Sequence, residues 1–208
     1  MRKRKFIPKG LYGITGEKFS KGRTNYECVK AMIDGGIKII QYREKEKSIK
    51  EQIEEIKEIA KLCKEKGVLF IVNDHVDIAL LVDADGVHVG QDDMCPSDIR
   101  KILGDDKIIG VSTHSKEQAD IAFADMNIDY IGVGPIFPTT TKDTAPVGLE
   151  YLDYVVNNID MPFVAIGGIK AHNIEQIISK DAHCICMVSE VVGADNIRDF
   201  VKKYQDRF

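Results

Sequence analysis

The segment 41–45 carries cationic and amide side chains in a spacing that suits phosphate binding. It reads Gln-Tyr-Arg-Glu-Lys and directly follows an apolar run. If that run is a β-strand, alternation places Gln41, Arg43 and Lys45 on one face. Arginine grips a phosphate through two parallel hydrogen bonds, and lysine adds a point charge. The motif alone is equally compatible with a cluster of ion pairs to nearby acids.

Acidic and amide residues follow the next two apolar runs. Asn73 and Asp74 end one of them. Asp92 and Asp93 end the other. Carboxylate oxygens with few other protein ligands suit a hard divalent cation such as Mg²⁺, which keeps water and substrate phosphate in its shell. The alternative is that Asp92 or Asp93 caps the next helix, just ahead of Pro96.

Hydroxyl groups and glycines follow the later apolar runs. They are Ser112, Thr139, Thr140, Thr141, Gly167, Gly168 and Ser189. Paired glycines can expose backbone N–H groups to a phosphate at close range. The connection from 134 to 148 holds two early prolines, three successive threonines and Lys142. It is long for a loop between a strand and a helix, which favours a lid, and a flexible polar loop without that role is the alternative.

All these residues stand where short apolar runs end, and eight such runs recur along the chain. We predict strands over 11–15, 37–42, 69–73, 86–89, 108–112, 130–133, 163–166 and 184–188. Helices are predicted at about 26–34, 48–66, 77–82, 97–103, 116–125, 149–156, 173–180 and 195–205. Short, continuously apolar strands that alternate with helices are typical of a covered parallel sheet. Eight such units predict an α/β protein with a single (β/α)₈ TIM barrel, whose functional residues lie where the strands end.

The predicted helix over 48–66 has the clearest periodicity. Its apolar residues recur at steps of four and three, at Ile49, Ile53, Ile56, Ala60 and Cys63. This spacing places them on one face, which we expect to be buried. Gly67 follows, as is common at a helix C-terminus.

Composition limits the classes of function. A chain of 208 residues with 44% apolar and 30% charged residues suits one soluble globular domain over 1–208. We expect 1–10 to be an N-terminal extension, with its basic run at 2–5 in solvent. A net charge of −4 argues against non-specific nucleic-acid binding. No apolar stretch suits a membrane span or a signal peptide. Five cysteines without metal-site spacing suit a reducing cytoplasm.

In their order and spacing, six motifs resemble the thiamine phosphate synthase family. They are QYREK at 41–45, ND at 73–74, GVHVGQDD at 86–93, GVSTHS at 110–115, GPIFPTTTKDTAPVGLE at 134–150 and AIGGI at 165–169. The resemblance implies a transferase that joins hydroxymethylpyrimidine diphosphate to a thiazole phosphate, in its hydroxyethyl or carboxylate form. The products would be thiamine phosphate and pyrophosphate, and one Mg²⁺ ion per subunit would assist. No nucleic-acid or membrane partner is implied, and a homo-oligomer is left open.

The resemblance also implies residue roles, position by position. The residues that would contact the pyrimidine diphosphate are Gln41, Tyr42, Arg43, Glu44, Lys45, Asn73, Ser112 and Lys142. The catalytic roles among these fall to Arg43, Lys45, Ser112 and Lys142. Contacts to the thiazole phosphate fall to Thr139, Thr140, Thr141, Gly168, Val188 and Ser189. Asp74 and Asp93 match the metal ligands, which leaves Asp92 as the less functional neighbour.

Three alternative functions stay open. A related thiazole tautomerase shares the fold but would not need the full set of metal and diphosphate residues. A non-catalytic binder of thiamine precursors would bind both ligands without turnover. A sugar-phosphate isomerase on the same fold would act without any thiazole. The residues Asp74, Asp93, Arg43, Lys45 and Lys142 favour the synthase over the tautomerase.

Overall fold

Eight parallel strands close into a barrel in the computed structural model, which describes residues 3–140 and 144–208. They are β1 Gly10–Ile14, β2 Ile39–Tyr42, β3 Leu69–Asn73, β4 Gly86–Val89, β5 Ile108–Thr113, β6 Tyr130–Val133, β7 Phe163–Ile166 and β8 Cys184–Cys186. Each strand pairs with the next one along the chain. The barrel closes where β1 pairs with β8. This topology confirms the predicted (β/α)₈ barrel.

Helices cover the outside of the barrel. They are α1 Asn25–Asp34, α2 Ile49–Lys66, α3 Val76–Leu81, α4 Pro96–Leu103, α5 Lys116–Ala124, α6 Gly148–Asn158, α7 Ile174–Ile178, α8 Val188–Val192 and α9 Ile197–Gln205. Thr24 and Ser48 begin α1 and α2 with capping boxes, in which the side chain accepts a hydrogen bond from the third helical N–H. None of the described helices is long and apolar enough to cross a membrane.

Alternation along the strands divides the core into two layers. Inside the barrel lies a cluster that includes Ile39, Ile71 and Val164. A larger cluster between strands and helices includes the outward-facing Ile40 and Val72. Inward and outward positions alternate because successive side chains of a strand point to opposite faces. The strands are therefore buried on both faces, which explains their continuous apolar character.

The end of the last strand differs from the prediction. We expected a strand over 184–188, but β8 ends at Cys186 and Val188 begins the short helix α8. Val188, Val191 and Val192 are β-branched, so their types favour a strand. Val191 and Val192 are instead buried in the outer core cluster, and this packing overrides the local propensity.

The buried face of α2 is also rotated from the predicted one. Ile56 and Cys63 are buried as expected, together with Ile59. Ile49 is 47% exposed, and Gln52 one turn later is buried instead. The Gln52 side chain donates a hydrogen bond to the Lys47 carbonyl at 2.9 Å, which occupies the inner face of the first turn. The helix therefore turns Ile49 toward solvent.

The N-terminal segment is not a solvated tail from residue 4 onward. The Arg4 guanidinium donates to the carbonyl oxygens of Phe123 and Ile128. The Lys5 N–H donates to the Asp129 carboxylate at 2.8 Å, and Ile7 is buried inside the barrel. These contacts place the segment against the end of the barrel where the strands begin.

Asp129 joins this segment to the barrel wall. It is fully buried, and it forms a salt bridge of 2.9 Å with Arg100. The same carboxylate oxygen accepts a hydrogen bond from the Ile109 N–H at 2.9 Å, whereas the other oxygen accepts from the Lys5 N–H. A buried carboxylate is stable only when its partners are complete. The Arg100 guanidinium would lose its buried counter-charge if Asp129 were removed.

We therefore expect Asp129→Ala to lower the free energy of unfolding by about 3–5 kcal/mol, the usual loss for a broken buried pair. Urea unfolding followed by circular dichroism measures this loss. Asp34→Ala is the control, because it removes an exposed pair with Lys30 on α1. That pair should contribute little, because both of its members are exposed and solvent screens their charges. Equal losses in the two variants would show that the buried pair has no special role.

Candidate active site

One pocket of about 580 Å³ opens at the end of the barrel where the strands run out into their following loops. The size suits small-molecule ligands. Of the residues that the sequence singled out, it is lined by Gln41, Arg43, Lys45, Asn73, Asp74, Asp92, Asp93, Ser112 and Val188. These side chains come from β2, β3 and β5, from the loops that follow β2, β3 and β4, and from the first residue of α8. Closure of the sheet therefore brings distant parts of the sequence to a single site.

Two cations form one side of the pocket. Arg43 and Lys45 extend from the loop after β2, and Thr15 at the end of β1 holds that loop. The Thr15 hydroxyl donates to the Arg43 carbonyl at 2.9 Å and accepts from the Arg43 N–H at 2.8 Å. Among the described residues, no ion pair involves either cation. The arrangement favours anion binding over the ion-pair cluster.

The carboxylates of Asp74 and Asp93 meet opposite these cations. Asp74 has a left-handed backbone with φ of 62°, and its N–H donates to the His88 carbonyl at 2.9 Å. Asp93 accepts a hydrogen bond from the Gly90 N–H at 2.6 Å. The two carboxyl groups are in hydrogen-bonding contact, one from the loop after β3 and the other from the loop after β4.

The Asp74 carboxyl group is electrostatically strained in this position. Burial raises its pKa above the ordinary value, and the neighbouring Asp93 raises it further. Lys45 and Arg43 act in the opposite direction but do not reverse the shift. Two oxygen-bearing acids in hydrogen-bonding contact, beside cations that can hold phosphate, fit a hard divalent cation. Such an ion would neutralise the repulsion between the two carboxylates.

Two residues of the 41–45 segment point away from this pocket. The Tyr42 side chain lies on the helix side of β2, and its hydroxyl donates to the Glu55 carboxylate at 2.8 Å. Glu44 accepts hydrogen bonds from the N–H groups of Lys45 at 2.8 Å and Glu46 at 3.0 Å. Burial alone would raise the pKa of Glu44. The hydrogen bonds from these two N–H groups and from the Asn25 amide outweigh burial, so the pKa of Glu44 is lowered. Both residues shape the loop and do not line the pocket.

The floor of the pocket is a chain of polar side chains, and the motifs did not reveal that these side chains are connected. Gln41 donates to the Tyr12 hydroxyl at 3.0 Å, and that hydroxyl contacts the Tyr130 hydroxyl at 2.8 Å. Tyr130 contacts His88 Nδ1 at 2.9 Å, and His88 Nε2 contacts the Ser112 hydroxyl at 3.0 Å. Burial raises the pKa of both tyrosines, so they stay neutral. We call these five residues the floor network.

The loop after β6 lies beside the end of β7. The Ile136 N–H donates to the Ile166 carbonyl at 2.9 Å, and the Phe137 N–H to the Gly167 carbonyl at 3.0 Å. A side chain at Gly168 would lie 2.5 Å from the Pro138 carbonyl, and its φ is 63°. Glycine is therefore required there to let the loop approach.

The remaining candidates lie around this loop. Thr139 and Thr140 do not line the pocket, whereas Thr144 further along the same loop does. Thr141 and Lys142 lie outside the described residues. Val188 contacts the pocket, but Ser189 lines a separate depression beside α8. Gly168 supports the loop and is not among the lining residues.

Comparisons with known proteins show which family the chain is similar to. A family model described as thiamine monophosphate synthase, TMP-TENI, matches residues 11–191. The chain is 57% identical over 194 residues to thiamine-phosphate synthase of Pelotomaculum thermopropionicum, covering 92% of this chain and 88% of that protein. It is 53% identical over 198 residues to the Caldicellulosiruptor saccharolyticus thiamine-phosphate synthase, covering 94% and 89%. The solved thiamine phosphate pyrophosphorylase from Pyrococcus furiosus superposes with a TM-score of 0.86 at 36% identity, covering 95% and 94%.

The raised pKa of Asp74 predicts a gain in stability when its charge is removed. Above its ordinary pKa the ionised carboxylate destabilises the folded state, and below that value the penalty disappears. We expect Asp74→Asn to unfold at higher urea concentration at neutral pH with chelator present, and the gain to vanish near pH 3. Asparagine also tolerates the left-handed backbone at this position.

Asp92→Asn is the matched control, because Asp92 is exposed on the same side of the pocket. Its effect should stay within about 0.5 kcal/mol. A loss of stability in Asp74→Asn at neutral pH would contradict the electrostatic account.

Proposed function

This chain belongs to the thiamine monophosphate synthase family, and from that premise we propose how its barrel performs the family's reaction. Hydroxymethylpyrimidine diphosphate and a thiazole phosphate are the two substrates, and thiamine phosphate and pyrophosphate are the products. The observation that carries the proposal is the meeting of Arg43 and Lys45 with Asp74 and Asp93 in one pocket. Cations and a paired-carboxylate site together suit a diphosphate and a divalent cation.

The pyrimidine diphosphate lies between β2 and β5 in this proposal. Arg43 and Lys45 hold the diphosphate, with Lys142 reaching it from the loop after β6. Gln41 and Asn73 line the pocket on the inner side and contact the pyrimidine ring. Ring contacts and phosphate contacts then fix the methylene carbon between them.

Asp74 and Asp93 would hold one Mg²⁺ ion, whose positive charge would stabilise the departing pyrophosphate. The chain's own cations act on the same charge. As the carbon–oxygen bond breaks, the electron pair leaves with the pyrophosphate, and Arg43 and Lys45 face the oxygens that gain charge. The thiazole nitrogen then forms the new bond to the cation-like methylene carbon. This route requires no nucleophilic side chain.

The thiazole phosphate approaches from the other side of the barrel. We assign its phosphate to the segment Thr139, Thr140, Thr141 of the lid loop and to Gly168, Val188 and Ser189. The loop is pinned at its base, where the Val147 N–H donates to the Pro135 carbonyl at 2.8 Å.

The partners in this proposal are two phosphorylated small molecules. Neither nucleic acid nor a membrane takes part. All five cysteines are free, and four of them are buried, which suits a reducing cytoplasm.

Pyrophosphate release tests the proposal directly. We expect release when the purified protein is mixed with both substrates and Mg²⁺, and none when either substrate is omitted. Excess chelator should abolish it. Absence of release under every condition would reject the synthase activity, and isomerisation of the thiazole carboxylate phosphate would then test the tautomerase alternative.

Asp93→Ala tests the carboxylate pair within that assay. We expect kcat to fall about hundredfold or more, as when one group that stabilises transition-state charge is removed. The circular dichroism spectrum should stay unchanged, because Asp93 is exposed in a loop. Asp92→Ala is the matched control and should keep most of the activity. Similar losses in both variants would show that Asp93 has no specific role.

A further inference from the structure

The floor network is built into the middle of the barrel. A Cβ atom at Gly110 on β5 would lie 2.2 Å from the Tyr130 ring and 2.6 Å from His88 Nδ1. A Cβ atom at Gly132 on β6 would lie 3.2 Å from the His88 ring. Only glycine at 110 leaves space for both rings, and glycine at 132 eases the contact further. The His88 and Tyr130 rings therefore pack against each other in the space left by these glycines, with their centroids 5.3 Å apart.

The Gln41 end of the floor network determines which group donates in each of the following hydrogen bonds. The Gln41 amide donates to the Tyr12 oxygen. The single proton of Tyr12 then points to Tyr130, since a buried hydroxyl proton without an acceptor would cost free energy. By the same argument the Tyr130 proton points to His88 Nδ1. The ring proton of a neutral His88 consequently lies on Nε2, which donates to Ser112.

The hydrogen bond from His88 Nε2 to Ser112 determines whether the Ser112 hydroxyl donates or accepts in the pocket. Its oxygen accepts from His88, so its own proton is directed elsewhere, and the side chain lines the pocket. A hydroxyl that must donate into a pocket with Arg43 and Lys45 complements an anionic oxygen. The same direction of bonding prevents His88 from removing the Ser112 proton, because Nε2 already carries one. The pair is therefore not a nucleophile and its base.

We propose that His88 is a positioning residue that fixes the Ser112 hydroxyl as a hydrogen-bond donor to the substrate's diphosphate. The inference rests on the proposed function and deepens it, because it assigns the floor network a part in stabilising the leaving pyrophosphate. His88 acts only through Ser112. Tyr130, Tyr12 and Gln41 determine which nitrogen of His88 carries the proton.

Three substitutions at His88 separate this role from simple packing. His88→Phe keeps the ring volume but cannot donate to Ser112. His88→Asn can reach Tyr130 but is too short to reach Ser112. His88→Gln places an amide N–H near the position of Nε2. We expect kcat to fall about ten- to hundredfold in the first two, the usual effect of losing a hydrogen bond to a charged group, and the glutamine variant to recover most of it.

A double substitution tests whether His88 acts through Ser112. In a Ser112→Ala background, His88→Phe should lower kcat little further, because the group that it positions is already absent. His183→Phe is the control, since His183 is exposed at the opposite end of the barrel, and it should leave kcat unchanged. Additive losses in the double variant, or a glutamine variant as slow as the phenylalanine one, would overturn the proposal.

The proton position on His88 is measured independently of activity. Nitrogen-15 NMR of the imidazole, assigned by loss of its signals in His88→Gln, should show a protonated Nε2 and an unprotonated Nδ1. A protonated Nδ1 would overturn the inference even if pyrophosphate is released. Failure of the wild-type protein to release pyrophosphate, with the expected proton position, would instead reject the proposed function.

Discussion

Closure of eight parallel strands is the constraint on which the rest of this molecule depends. Parallel strands all end at one rim, so every loop that follows a strand starts at the same side of the barrel. Alternation then divides the side chains of each strand between the interior and the helices. On β2 this places Gln41 in the pocket and Tyr42 against α2. The site is a consequence of this geometry before any particular side chain is considered.

The pocket divides into two electrostatic environments. Near the rim, Arg43 and Lys45 face the carboxyl groups of Asp74 and Asp93, and burial with mutual repulsion raises the pKa of Asp74. Deeper in the barrel, Tyr12 and Tyr130 remain neutral because burial disfavours their ionised forms. Charge is therefore concentrated where a diphosphate and a cation would bind. The neutral floor below would contact uncharged parts of a ligand, except at Ser112, whose hydroxyl is directed to the diphosphate in our proposal.

The buried carboxylate of Asp129 has favourable partners at the end of the barrel where the strands begin, whereas that of Asp74 at the opposite end is destabilised. Asp129 is fully buried and accepts hydrogen bonds from Arg100, from the Ile109 N–H of β5 and from the Lys5 N–H of the N-terminal segment. The Asp74 carboxylate is only partly compensated, because burial and Asp93 raise its pKa and the charges of Lys45 and Arg43 do not reverse the shift. Proteins commonly tolerate destabilised groups at functional sites when the scaffold is stable elsewhere. The distribution of stable and strained carboxylates in this barrel follows that rule.

The sequence by itself determined the eight strands, the barrel class and the cationic and acidic residues at the strand ends, because these depend on periodicity and residue type within short segments. Only the tertiary structure decided that 188 begins a helix, that α2 turns Ile49 to solvent and that Asp74 contacts Asp93. The floor network was also hidden, since His88 and Tyr130 lie inside strands and meet only through the register of neighbouring strands and the space left by Gly110. Such contacts join residues 42 positions apart. No local pattern specifies them, because they depend on the closure of the whole sheet.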